Sequence, residues 1–192
     1  MIMAAGTSSR MKAIKQLLPW GDSNFIGNAL KNAKKSKAAK VLTVLGAYAD
    51  EIVLDTNFSG MEYILNPNWK KGLGNSIAYG TRHLLKQDKN YDGILVMLTD
   101  QPFIDALYLN TLIDNFSNSK TTIVATQYDN RVGVPAIFGR IHFEALMGLD
   151  SDFGARDIIK NQSKNVLSLT ANGKELDIDT QEEYERVKKS EQ

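Results

Sequence analysis

Along the chain, short runs of β-branched and aliphatic residues alternate with longer stretches whose apolar positions recur at helical spacing. The short runs predict strands at Ile2 to Ala4, Val41 to Leu45, Glu62 to Leu65, Gly93 to Leu98, Thr122 to Thr126, Val134 to Phe138 and Val166 to Leu169. Helices are expected near Asn24 to Lys37, Ala49 to Asp55, Asn75 to Lys86, Asp105 to Phe116, Ile141 to Met147, Phe153 to Lys160 and Thr180 to Lys189. Strand and helix taking turns in this way imply an α/β fold, with a mixed, mostly parallel sheet carrying helices on both faces. Thr180 and Glu183 have the spacing of a capping box, and Asp105 can cap the helix that follows it.

Composition narrows the picture. At 192 residues, with no repeat, low-complexity tract or linker, the chain is expected to form one domain spanning residues 1–192. It is 43% hydrophobic and 23% charged with a net charge of +1, so neither nucleic acid nor an anionic membrane is expected as a bulk partner. Any phosphate binding must come from locally placed Lys, Arg and backbone amides. The five lysines from Lys31 to Lys40 read as a solvated helix face. The absence of cysteine excludes disulfides, thiolate ligands and a cysteine nucleophile. His83 and His142 lie far apart with no partner at metal-ligand spacing, which argues against zinc. Apolar runs stay under about ten residues where a membrane span needs ~20, and the start Met1 to Gly6 breaks before an apolar signal region can form. A cytoplasmic protein is the expectation.

The first strand leads straight into Ala4-Ala5-Gly6-Thr7-Ser8-Ser9-Arg10-Met11, small residues that let backbone amides approach an anion. Arg10 adds a forked cation for phosphate oxygens and Lys15 a point charge within reach of an α-phosphate. The loop lacks both the ending of a Walker A motif and the spacing of the dinucleotide fingerprint. The near-continuous apolar run Gly93 to Leu98 ends in Thr99-Asp100-Gln101-Pro102. An acid there stands at the carboxyl edge of the sheet, where open α/β folds bind ligands, and a carboxylate suits Mg²⁺. Near the C-terminus, alternation puts Asp177 and Asp179 on one face of an extended piece. The glycine-rich run Asn66 to Ile77 precedes a helix, with Asn75 or Ser76 available as cap and exposed amides suited to an anion or the edge of a base.

With the continuation Lys15-Gln16-Leu17-Leu18-Pro19-Trp20-Gly21, the N-terminal segment resembles the signature of the nucleotidyltransferases related to the molybdenum cofactor enzymes, A-(A/G)-G-x-S-x-R-M-G followed by a Lys and an L-L-P-W-like segment. Its A-A-G form resembles the molybdenum cofactor cytidylyltransferase branch, whereas A-G-G goes with the molybdopterin-guanine dinucleotide synthases. The resemblance runs from Ala4 to Tyr184 and takes in Asp100-Gln101-Pro102, Asn66 to Ile77, Gly133 to Phe138, Ser151 to Arg156 and Asp177 to Tyr184. It implies a three-layer Rossmann-like, GT-A-like fold and Mg²⁺-dependent transfer of CMP from CTP, or a nucleotide from another triphosphate, to the phosphate of molybdenum-molybdopterin. Pyrophosphate is released, and transient contact with a molybdoenzyme is a further implied partnership.

Carried over, Arg10 holds the β and γ phosphates, Lys15 the α-phosphate, and Asp100 the metal, making these the catalytic set. Asp179 is the candidate second metal ligand and Asp177 a weaker one. Ala4, Ala5, Gly6, Thr7, Ser8, Gly72, Gly74, Asn75 and Ser76 fall to the nucleotide. Gln101, Pro135, Asp152 and Arg156 fall to the acceptor, with Arg131 as an alternative phosphate clamp. The chain departs from the pattern at Lys12 in place of Gly, Asn75 in place of Ser, Gln181 in place of Pro, and in a shorter first strand. Alternative functions are a guanylyl-, uridylyl- or cytidylyltransferase acting on another phosphorylated acceptor, and a non-catalytic carrier of cofactor or nucleotide.

Overall fold

The structure, a computed structural model, describes residues 1–7, 11, 13–58, 60–88 and 90–190. In chain order the strands are β1 (Ile2–Ala4), β2 (Pro19–Trp20), β3 (Ser23–Asn24), β4 (Leu42–Leu45), β5 (Glu62–Leu65), β6 (Gly93–Leu98), β7 (Ile123–Gln127), β8 (Val132–Gly139) and β9 (Val166–Thr170). The helices are α1 (Phe25–Lys35), α2 (Ala49–Asp55), α3 (Leu73–Gln87), α4 (Ala106–Asn118), α5 (Phe143–Met147), α6 (Arg156–Asn161) and α7 (Gln181–Ser190).

All seven strands expected from the alternation are present and join one sheet in the order β5-β4-β1-β6-β8-β7-β9. Only β8 runs against its neighbours β6 and β7; the other pairings are parallel. Successive side chains point to opposite faces of a strand, so each strand feeds two cores. Ile2, Ala4, Met97, Val124 and Ile137 face Ile26 and Leu30 of α1 and Leu109 and Leu112 of α4. Met3, Val44, Val96, Ala136 and Phe138 face Ile77 and Leu84 of α3, Leu146 of α5 and Ile159 of α6. The result is the expected three layers. The Val, Ile, Leu, Met and Phe side chains among them each contribute about 1.5–3 kcal/mol when fully buried.

A third cluster sits at one end. Ile178 and, from α7, Tyr184 and Val187 pack with Met11, Leu18 and Phe25. Trp20 meets the rings of Phe25 and Phe103 edge-on, and Tyr184 Oη donates to the Pro19 carbonyl at 2.9 Å. The C-terminal segment is thereby clamped to the β2–β3 hairpin, which is too short to leave a period in the sequence.

Two helix starts have the expected caps. Asp105 accepts from the Tyr108 amide at 2.8 Å, while Thr180 accepts from the Glu183 amide and Glu183 accepts in return from the Thr180 amide at 2.9 Å. The expected cap at Asn75 or Ser76 is corrected: α3 already begins at Leu73, with Gly72 at the cap position and no side chain bonding there. The expected helix at Phe153 starts only at Arg156, because Gly154 has φ +59°, outside the helical region. The lysine run is a surface face, with Lys31, Lys37 and Lys40 paired to Asp22, Asp114 and Glu62. No described helix is long and apolar enough to cross a membrane.

Candidate active site

β1 and β6 are neighbouring parallel strands, and beyond their carboxyl ends a cleft of about 420 Å³ opens. One wall is the loop after β1, with Ala4, Ala5, Gly6 and Thr7 lining it. Behind the loop, the buried Gln16 donates from Nε2 to the Gly6 carbonyl at 2.9 Å and, more weakly, to the Ala4 carbonyl at 3.4 Å. The amide group fixes the curvature of a segment too short to pack on its own side chains.

The opposite wall is the turn Trp69–Lys71 and the first residues of α3, with Trp69, Lys70, Gly72, Leu73 and Ser76 on the surface. Asn66, fully buried, donates to Ser76 Oγ at 3.1 Å and to Asn75 Oδ1 at 3.2 Å and ties this wall to the end of β5. The segment 150–152 lies directly against it. Gly72 has φ +98°, and a Cβ there would stand 2.0 Å from Asp152 Oδ1; one on Gly74 would stand 2.6 Å from the Ser151 carbonyl. Glycine is required at both positions, and the close approach brings Asp152 to the rim. It also uses the Gly74 amide, which donates to the Ser151 carbonyl at 2.8 Å instead of being left for a ligand.

At the base of the cleft, Lys15 Nζ lies 2.9 Å from Asp100 Oδ2 and 2.7 Å from Asp179 Oδ1. Burial by itself would lower the Lys15 ammonium, but the charge of Asp100 and the hydrogen bonds to both carboxylates outweigh it and raise it above the usual lysine range. Asp179 is carried there by the C-terminal clamp: the Ile178 amide donates to the Asp100 carbonyl at 2.9 Å, and Glu183 accepts from the Asp179 amide at 2.8 Å.

Asp100 Oδ1 is buried and accepts no hydrogen bond among the described residues. A buried carboxylate oxygen without a donor is costly, and a cation bound there would satisfy it. The described lining carries Lys15 and Lys70 against Asp100, Asp152 and Asp179, an acidic balance that a polyphosphate could not enter without further positive charge. Among the described residues no three acids or histidines stand close enough to hold an ion by themselves. The donor set therefore fits Mg²⁺ or a similar hard ion, which takes one or two carboxylates and completes its shell with phosphate and water.

Asp177 is turned to other work. It accepts from Gln101 Nε2 at 2.9 Å and from Arg131 Nη2 at 3.1 Å, and that guanidinium stacks 4.1 Å from the centre of the Tyr128 ring. Burial raises the Asp177 carboxyl, with the charge of Asp100 adding to the effect, while Gln101 and Arg131 hold it back.

Of the residues singled out from sequence, Ala4, Ala5, Gly6, Thr7, Lys15, Gly72, Ser76, Asp100, Asp152 and Asp179 converge on the cleft lining. Gly74, Asn75, Gln101, Pro135 and Arg156 are not part of that lining. Gln101 is buried behind it, the Pro135 carbonyl accepts from Thr126 Oγ1 inside the sheet, and Arg156 is exposed at the start of α6. Arg10 and Ser8, with Lys12, lie outside the described residues. Gln16, Lys70 and Thr99 line the cleft without having been given a role. For Gln16 the available signal was an amide side chain set among Ile14, Leu17 and Leu18.

Comparison with known proteins supplies the family. Residues 1–166 match the MobA-like NTP transferase domain. Over the full length, the chain is 28% identical to the purine catabolism protein PucB of Bacillus subtilis, covering 98% of this chain and 94% of that one. The crystal structure of Rv0371c from Mycobacterium tuberculosis superposes with a TM-score of 0.84 at 28% identity over 97% of this chain and 94% of that one. A second structure of Rv0371c is a complex with manganese, at TM-score 0.81 and 27% identity over 98% of this chain and 96% of that one. The Rv0371c homologue of Mycobacterium sp. strain JC1 reaches TM-score 0.81 and 32% identity over 98% of this chain and 93% of that one. With a cleft flanked by a small-residue loop, two carboxylates facing one lysine across its base, and a family match over most of its length, the chain belongs to the MobA-like NTP transferases.

Proposed function

We propose that the protein is a magnesium-dependent cytidylyltransferase that moves CMP from CTP onto the phosphate of molybdenum-molybdopterin and releases pyrophosphate. The observation that carries this reading is the meeting of Lys15, Asp100 and Asp179 at the carboxyl ends of β1 and β6. The choice of CTP rests on the Ala4-Ala5-Gly6 and Asp100-Gln101-Pro102 forms of the two signatures. The whole chain acts as one domain here, because the clamp formed by α7 supplies Asp179 to a cleft built by β1 and β6.

An oxygen of the acceptor phosphate attacks the α-phosphorus in line, the bond from that phosphorus to the β-phosphate oxygen breaks, and pyrophosphate leaves with the electron pair. The acceptor phosphate is already ionised at neutral pH, so no side chain has to remove a proton. Asp100 and Asp179 would hold Mg²⁺, which when bound supplies charge neutralisation at the phosphates. Lys15 stabilises charge on the α-phosphate, and the loop Ala5 to Thr7 borders the nucleotide. Catalysis is then positioning and electrostatics.

The test is pyrophosphate release from each of CTP, GTP, UTP and ATP with Mg²⁺ and molybdenum-molybdopterin as acceptor. CTP should be turned over in clear preference. A preference for GTP would make the protein a guanylyltransferase, and tight cofactor binding with no release from any triphosphate would make it a carrier.

A further inference from the structure

Between the two proposed metal ligands sits a cation that belongs to the protein itself. Lys15 Nζ bridges Asp100 and Asp179 at 2.9 and 2.7 Å, and its side chain is only 11% exposed. We propose that Lys15 is a built-in occupant of the metal seat, exchanged for a divalent ion only when a triphosphate arrives to receive its ammonium, so that ion and nucleotide bind as one event. The inference rests on the proposed reading of Asp100 and Asp179 as metal ligands.

Three features support an exchange over a permanent ion pair. The ammonium engages Asp100 through Oδ2 alone and leaves Oδ1 buried without a donor among the described residues, so the seat is filled but not satisfied. A bare divalent ion entering the cleft finds too few protein ligands, since no third acid or histidine among the described residues completes a site and Asp177 is engaged by Gln101 and Arg131. It would also have to displace Lys15, or share two carboxylates with a like charge. A triphosphate removes both obstacles: its oxygens complete the shell of the ion, and its α-phosphate offers the displaced ammonium a new anion. Such coupling is reciprocal, so nucleotide strengthens ion binding as much as ion strengthens nucleotide binding. The arrangement would also keep stray divalent ions out of a site with two acids at its base.

The probe is Mn²⁺, followed by loss of the free-ion signal in electron paramagnetic resonance. Lys15→Gln removes the charge but keeps a donor for the carboxylates, and without nucleotide it should bind Mn²⁺ at least ~10-fold more tightly than the unaltered protein. Adding Asp100→Asn should abolish that gain. A non-hydrolysable CTP analogue should tighten Mn²⁺ binding to the unaltered protein and do so less for Lys15→Gln. Equal Mn²⁺ affinity of Lys15→Gln and the unaltered protein without nucleotide would overturn the exchange, yet leave the enzyme reading intact if the analogue still recruits Mn²⁺. Failure of the analogue to recruit Mn²⁺ at all would overturn both. Should Lys15→Gln not fold, the Nζ resonance of Lys15 in ¹⁵N-lysine-labelled protein decides. It should shift with analogue and Mg²⁺ together and stay in place with Mg²⁺ alone; a shift with Mg²⁺ alone refutes the exchange.

Discussion

Replacing Asp100 by asparagine should separate the chemistry of the site from its stability. The substitution keeps the shape and removes the charge. Lys15 loses the contact at 2.9 Å but retains Asp179 at 2.7 Å, and the lost pair is only partly buried, with 24% of the Asp100 side chain exposed. Against that loss, of order 1–2 kcal/mol, stands relief from burying a charged oxygen with no donor among the described residues, worth about 1–3 kcal/mol. The two nearly cancel. A net change within about 1 kcal/mol moves the melting temperature of a domain this size by ~2–4 °C at most.

The rate has no such compensation. Weakening the hold on the ion that neutralises the transferring phosphate should cost at least ~3 kcal/mol, or ~10² in kcat. The assay pairs enzyme-coupled pyrophosphate release at saturating CTP with thermal unfolding of the same preparation. A folded Asp100→Asn protein that turns over at the normal rate would refute the assignment of Asp100. Activity lost only in step with melting would equally refute the claim that the carboxylate is there for function and not for the fold.

Ile178→Ala opens a hole in the cluster that clamps the C-terminal segment, and should cost about 2–4 kcal/mol while raising the Mg²⁺ concentration needed for half-maximal rate. A variant with normal metal dependence would show that Asp179 reaches the cleft without the clamp. Gly72→Ala sets a methyl group 2.0 Å from Asp152 Oδ1 at a φ of +98°, so the wall at α3 must shift; the KM for the triphosphate should rise at least ~10-fold, by at least ~1.4 kcal/mol of binding, and an unchanged KM would place the nucleotide elsewhere. Glu62 gives a pH test away from the site. The hydrogen bond from Lys40, assisted by His83 and Gln87 and opposed by burial, lowers its carboxyl from 4.5 to about 2. Because the folded value is depressed, its stabilisation is complete above pH 4.5 and fades as pH falls toward 2. The melting-temperature gap between the protein and Glu62→Gln should shrink across that interval, and a gap constant with pH would remove Glu62 from the acid response.

Much of this was written locally. The short β-branched and aliphatic runs at Ile2, Leu42, Gly93 and Ile123 became strands because a residue's neighbours along the chain decide whether an extended segment can be buried. Asp100 stands out in the sequence because it sits just beyond β6, where a charge is rarely needed for packing, and Lys15 because it opens the segment Lys15 to Gly21 that continues the small-residue loop after β1. Gln16 did not stand out, since its task is to hold two carbonyls of a loop ten or more residues earlier. Asn75 reads as a cap only when the helix is taken to begin beside it; the contact of Gly74 with Ser151 starts the helix sooner and hands Asn75 to Asn66 and Asp150.

By itself, then, the amino-acid order determined the elements, their succession into a layered sheet, and the kinds of charge placed at its rim, all consequences of short-range periodicity and turn chemistry. Which acids confront the lysine was decided only in three dimensions. Asp177 and Asp179 are near-equivalent in sequence, yet a buried isoleucine between them and a hydrogen bond from its amide to Asp100 send one carboxylate to Lys15 and the other to Gln101 and Arg131. Contacts between residues 46 to 164 positions apart carry that choice, and no local pattern encodes a distance that only packing can close.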